Sequence, residues 1–134
     1  MDENEVFEKI RKILADILEM DLNEINRNSS LLDDLGIESV DLLNINLRIE
    51  YEFNFKIQEG ELWNVGLDFV DNDKYMLGEM LTKDGLAEIK GRFPLIDTFQ
   101  FGDEEISFYD AIGLITVEMI VDYIATKLKS IENG

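Results

Sequence analysis

A chain of 134 residues suits one domain, since single hydrophobic cores commonly form from about 100 to 150 residues, and 46% hydrophobic residues supply enough apolar surface to fold. Thirty Asp and Glu against 12 Lys and Arg give a formal net charge of −18, which disfavours nucleic acid and anionic lipid and favours basic patches on other proteins. The absence of Cys and His excludes disulfides, thiolate nucleophiles, zinc–thiolate sites and a Ser-His-Asp triad, while carboxylate-only catalysis remains open.

The N-terminus MDENEVFEK is acidic and unlike a secretory signal, and no run approaches the roughly 18 consecutive apolar residues of a membrane span. A soluble, cytoplasmic protein is expected, and its high charge argues for a monomer. From Glu3 to Met20, Val6, Ile10, Ile13, Leu14, Ile17 and Leu18 recur at steps of three and four, predicting a first helix. Residues 21–38, DLNEINRNSSLLDDLGIE, break that period with Asn, Ser, Asp and Gly and read as a long loop. From Ser39 a helix of about fifteen residues resumes, with one apolar stripe through Val40, Leu43 and Leu47 and another through Leu42, Ile45, Ile49 and Phe53. Two adjacent stripes predict a wide buried face.

In the middle, LTKDGLAEIKGRF predicts a short helix capped by Thr82 and stopped by Gly91 and Pro94. The flanking ELWNVGLDFV and DTFQFGDEEISFYD are rich in aromatic and β-branched residues and are compatible with short strands. Asp71-Asn72-Asp73 begins like a calcium loop, but Tyr75 and Met76 stand where that loop wants an oxygen ligand and a Gly. No metal site and no catalytic constellation are assigned. A last helix through ITVEMIVDYIATKLKSI begins at Thr116 as a possible cap, with Val117, Ile120, Val121, Ile124 and Leu128 on one face.

The segment that carries chemistry is Asp33-Asp34-Leu35-Gly36-Ile37-Glu38-Ser39-Val40. Gly36 permits a close turn, Leu35 and Ile37 anchor it to the core, and Ser39 stands where a helix begins. A hydroxyl there serves as a cap, and the free N–H groups and dipole of a helix start also suit a phosphate or phosphodiester.

This segment, together with the helix ending in EYEFNFKI and the later ITVEMIVDYI, resembles the acyl carrier protein family around its 4'-phosphopantetheine attachment serine. With the first helix the resemblance covers roughly 80 residues. It implies an all-α, four-helix acyl-carrier-like bundle in one domain, 1–134, with an inserted subregion at about 58–114 that holds a short helix and has room for the short strands just described. It further implies that Ser39 carries a covalent 4'-phosphopantetheine drawn from coenzyme A, so that the protein needs no Cys or His of its own and is no enzyme. The expected partners are a phosphopantetheinyl transferase and acyl-activating, ketosynthase or acyltransferase enzymes of fatty-acid, lipid or polyketide-type biosynthesis. Asp34, Glu38, Val40, Asp41, Leu47 and Glu50 match positions that such partners read.

Three departures stand out. Glu38 replaces the family's usual Asp before the serine, Asn44 and Tyr51 stand where acidic residues are common, and the insertion is several times longer than the usual connection. Its aromatics Trp63, Phe69, Tyr75, Phe99, Phe101, Phe108 and Tyr109 form either a satellite core or an enlarged acyl pocket or docking surface. An aminoacyl or peptidyl carrier, and an unmodified carrier-like acidic interaction module, are the alternative functions.

Overall fold

The computed structural model describes residues 2–58, 61–63, 72–96 and 106–133. Among these residues the α-helices are α1 (Glu3–Leu18), α2 (Ser39–Phe53), α3 (Lys83–Arg92), α4 (Phe108–Ile112) and α5 (Val117–Asn133), with a 3-10 turn at Leu22–Glu24 and a small hairpin. The expected helical architecture with an inserted region is what is seen. The chain divides into two compact units, one formed by Met1–Ile57 with Thr116–Gly134 and the other by Gln58–Ile115. None of the helices among the described residues is long and apolar enough to cross a membrane.

In the first unit α1 packs against both α2 and α5. It starts where the Asp2 carboxylate accepts the Glu5 N–H at 2.9 Å and ends where Glu19 turns left-handed at φ 55°. Its buried face is Val6, Phe7, Ile10, Ile13 and Leu14, while Ile17 and Leu18 are only half-buried. Opposite lie Ile45, Ile49 and Phe53 of α2 and Val117, Ile120, Val121 and Ile124 of α5, all buried. Fully burying an aliphatic or Phe side chain contributes about 1.5–3 kcal/mol, so this shared stripe is what holds the three helices together. Two exposed ion pairs, Lys9–Glu52 at 2.7 Å and Arg48–Asp16 at 3.1 Å, join α1 to α2.

The wide buried face expected of α2 is not found. Only the stripe through Ile45, Ile49 and Phe53 is buried, with Leu42 half-buried beside it, whereas Val40, Leu43 and Leu47 are more than half exposed. The reason is that α1 contacts α2 along one side, and at 100° per residue Val40, Leu43 and Leu47 fall on roughly the opposite side of the helix from Ile45, Ile49 and Phe53.

The loop before α2 is held by Ile25, Leu31, Leu35 and Ile37, all buried. It also completes α5, because the N–H groups of Val117 and Glu118 donate to the carbonyls of Ser29 and Arg27 at 3.0 and 2.8 Å. Arg27 adds an ion pair to Glu118 at 2.8 Å and stacks its guanidinium over Phe7. Thr116 precedes α5 as expected and bridges to Ser30.

In the second unit β1 (Met76–Leu77) pairs antiparallel with β2 (Met80–Leu81), Met76 opposite Leu81 and Leu77 opposite Met80. Thr82 caps α3 as predicted, its hydroxyl accepting the Gly85 N–H at 3.0 Å, and the helix runs through Gly91 to stop at Arg92 before Pro94. Gly91 therefore does not end it; the missing N–H and fixed φ of Pro94 lie beyond the last turn. Buried here are Leu62, Leu81, Ile89, Phe93, Ile96, Ile106, Ala111 and Ile115. Of the seven aromatics singled out in the insertion, Trp63, Tyr75 and Phe108 are half-buried, Phe69, Phe99 and Phe101 lie outside the described residues, and the Tyr109 side chain is likewise undescribed. The short strands read into ELWNVGLDFV and DTFQFGDEEISFYD fall mostly outside them too, and Phe108–Ile112 is helical instead, a single turn in which Asp110 N–H is held by the Ser107 hydroxyl at 3.0 Å.

Candidate functional site

The turn that leads into α2 is built from local bonds. The N–H of Ser30 donates to the Asp34 carboxylate at 2.7 Å and the N–H of Asp33 to the Ser30 hydroxyl at 3.1 Å, closing a single helical turn over Ser30–Asp34. The N–H of Gly36 donates to Leu32 and that of Ile37 to Leu31. Gly36 sits at φ +64°, a conformation open to residues without a Cβ, and there the chain reverses. Leu35 and Ile37, 8% and 6% exposed, fasten the turn on either side.

This arrangement delivers Ser39 to the first position of α2. The cap is Glu38, whose carbonyl accepts the first helical bond from Leu42 N–H at 3.2 Å and whose own N–H donates to Asp41 Oδ2 at 2.9 Å. The reading of Ser39 as the capping residue is thus displaced by one position, because Asp41 satisfies the backbone at Glu38. Ser39 lies within the first turn, where N–H groups lack intrahelical partners and the helix dipole is positive.

The other residues expected to meet a partner divide into two groups. The carboxylates of Asp34, Asp41 and Glu50 are engaged by the chain itself, accepting the N–H groups of Ser30, Glu38 and Ile57 at 2.7, 2.9 and 2.8 Å. They shape the turn, the start of α2 and the exit from it. Glu38 is exposed as the cap, and Val40 and Leu47 are exposed apolar residues. Leu43 and Tyr51, 61% and 87% exposed, extend those two into one continuous stripe along α2. The sequence pattern places Leu43 in the buried face and Tyr51 among the departures; their spacing from Val40 and Leu47 is the signal that joins them.

One residue was missed. Asn46 of α2 has its carboxamide oxygen buried with no hydrogen-bond partner among the described residues. Among these residues no cluster of three or more carboxylates is arranged to hold a metal ion.

Residues 8–66 match the family profile described as "Phosphopantetheine attachment site". The chain is 33% identical over 84 residues to the acyl carrier protein of Petrotoga mobilis, covering 63% of this chain and 96% of that protein. It is 41% identical over 56 residues to the acyl carrier protein of Clostridium acetobutylicum, covering 42% of this chain and 73% of that one. It is also 31% identical over 58 residues to polyketide-8 synthase acyl carrier protein 2 of Streptomyces avermitilis, 43% of this chain and 67% of that one. A helical unit opened by an acidic Leu-Gly turn, and near-complete coverage of such a relative at one-third identity, lead to one conclusion: the chain belongs to the acyl carrier protein family, phosphopantetheine carriers whose prosthetic group is covalently attached.

Proposed function

We propose that Ser39 is the attachment residue for 4'-phosphopantetheine and that the chain presents an acyl group to enzymes of fatty-acid, lipid or polyketide-type biosynthesis. The observation that carries this reading is the place of Ser39 as the first residue of α2, directly after the Gly36 turn. The residues fit the group: a phosphodiester at that position meets the positive end of a fifteen-residue helix, and the turn behind it is pinned by Leu35 and Ile37. The prosthetic group supplies the thiol that this chain, with no Cys, lacks. What the protein's own residues do is hold the attachment serine at the start of α2 and offer partners a surface.

That surface is the stripe Val40, Leu43, Leu47 and Tyr51. Contiguous exposed apolar residues mark interaction sites, and three nearby carboxylates are already engaged by backbone N–H groups. A phosphopantetheinyl transferase, and after it ketosynthase, acyltransferase or acyl-activating enzymes, would grip α2 through apolar contact, with the −18 charge steering the encounter.

Incubation with coenzyme A and a broad-specificity phosphopantetheinyl transferase, followed by intact-protein mass spectrometry, tests the attachment. One phosphopantetheinyl mass is gained by the wild type and none by Ser39→Ala. An unchanged wild-type mass, under conditions that load a control carrier, refutes the reading and leaves an unmodified interaction module; a gain that survives in Ser39→Ala moves the attachment elsewhere.

A further inference from the structure

The buried oxygen of Asn46 has no partner among the described residues, and α2 otherwise accounts for its polar groups by exposure, ion pairing or capping where these are seen. A buried acceptor left unsatisfied costs about 1–3 kcal/mol relative to one that is bonded. Leu, which fills similar space, would avoid that cost at a position between Leu42 and Ile49. The cost is removed when a donor reaches the oxygen.

The place of Asn46 indicates where that donor comes from. It stands seven positions after Ser39, which on an α-helix is two turns along and on the same face, about 10 Å away at 1.5 Å per residue. The group carried by an acyl carrier is a phosphodiester continued by a chain with two secondary amides. Counted at the roughly 1.1–1.2 Å per bond of an extended backbone, the first amide nitrogen lies about 8 Å from the serine oxygen and the second about 13 Å. The two N–H donors bracket the distance to Asn46, and the thiol extends beyond it.

We propose that Asn46 seats the prosthetic arm, its carboxamide oxygen accepting a hydrogen bond from an amide N–H of the 4'-phosphopantetheine held at Ser39. This rests on Ser39 being the attachment residue. Asn46 is a positioning residue: it bonds the arm rather than the cargo, so the arm lies along α2 whatever acyl group it carries. In the unloaded protein the same oxygen has no partner among the described residues, a cost that attachment relieves.

The test compares apo and holo forms of the wild type and of Asn46→Leu, each holo form verified by intact mass. Thermal midpoints supply one readout and the side-chain amide 1H–15N resonances of Asn46 in the wild type the other. Loading is expected to raise the wild-type midpoint and to shift the Asn46 side-chain resonances. In Asn46→Leu the apo midpoint should equal or exceed that of apo wild type, and the gain on loading should fall by at least half. A protein that takes up no phosphopantetheine overturns the attachment at Ser39 and this inference with it. A protein that loads fully, yet gains the same stability with Leu as with Asn at position 46 and leaves the Asn46 resonances unmoved, overturns the seat alone. Should Asn46→Leu fail to fold, Asn46→Val and the wild-type resonances carry the same decision.

Discussion

Gly36 and Gly85 need the absence of a side chain for different reasons, and single substitutions separate them. At Gly36 an added Cβ would meet nothing within 4 Å, so the whole cost of Gly36→Ala is the left-handed backbone at φ +64°, roughly 1–2 kcal/mol. At Gly85 the backbone is helical and unstrained, but a Cβ would stand 2.1 Å from the carbonyl oxygen of Tyr75, which also accepts the Thr82 N–H at 3.0 Å. That contact is with backbone and has no flexible end to yield, so Gly85→Ala should cost about 3 kcal/mol or more. Urea unfolding followed by far-UV circular dichroism checks the order: Gly85→Ala loses more stability than Gly36→Ala, and Gly36→Asn less than Gly36→Ala. Equal losses would mean that the close approach of Tyr75 to α3 is relieved cheaply. The role of Gly36 was legible in the sequence because a turn between two apolar anchors is a local affair. Asn46 was not, since desolvation of its oxygen depends on neighbours that periodicity does not name.

The exposed stripe of α2 bears directly on how partners read the helix. Val40, Leu43, Leu47 and Tyr51 are all more than half exposed, and substitutions at such positions usually change stability by no more than about 0.5 kcal/mol. Leu43→Glu should therefore leave the thermal midpoint within about two degrees of wild type. Charge placed at the centre of an apolar contact is costly, so the same variant should lower kcat/KM for loading by a phosphopantetheinyl transferase by tenfold or more. Steady-state assays of the transferase, with the carrier as varied substrate, supply the measurement; a rate within twofold of wild type would take Leu43 out of the contact. The stripe shows why the helices were readable and their faces only partly so. The periods of α1, α2 and α5 follow from side-chain spacing, but Val40-Leu43-Leu47 and Ile45-Ile49-Phe53 are equally apolar strings, and only the side on which α1 lies decides which is buried. The hairpin Met76–Leu81 escaped for another reason: strands of two residues are too short to show alternation, and Met carries little β-propensity.

Across the whole molecule, charge opposes compaction. Even with every Lys and Arg paired, a net charge of −18 remains, spread over the surface of 134 residues. A helix of sixteen residues such as α1 is about 24 Å long, so at 0.01 M salt, where the screening length is about 30 Å, carboxylates at its two ends still repel. At 0.15 M the length falls to about 8 Å and only neighbours interact. Salt also weakens the ion pairs Lys9–Glu52 and Arg48–Asp16, but exposed pairs of this kind contribute only about 0–1 kcal/mol each. Relief of repulsion is the larger effect, and stability should rise with salt. The single Trp63 belongs to the second compact unit, whereas the three long helices α1, α2 and α5 belong to the first, so fluorescence reads the second unit and circular dichroism chiefly the first, with a smaller share from α3 and α4. Thermal midpoints read by Trp63 fluorescence and by circular dichroism at 222 nm should both increase by several degrees as sodium chloride is raised from about 0.01 to 0.5 M. Choline chloride at equal ionic strength should reproduce the rise, because screening does not depend on the cation. A flat or falling midpoint would place the balance with the ion pairs, and a rise confined to one probe would assign the excess charge to that unit alone.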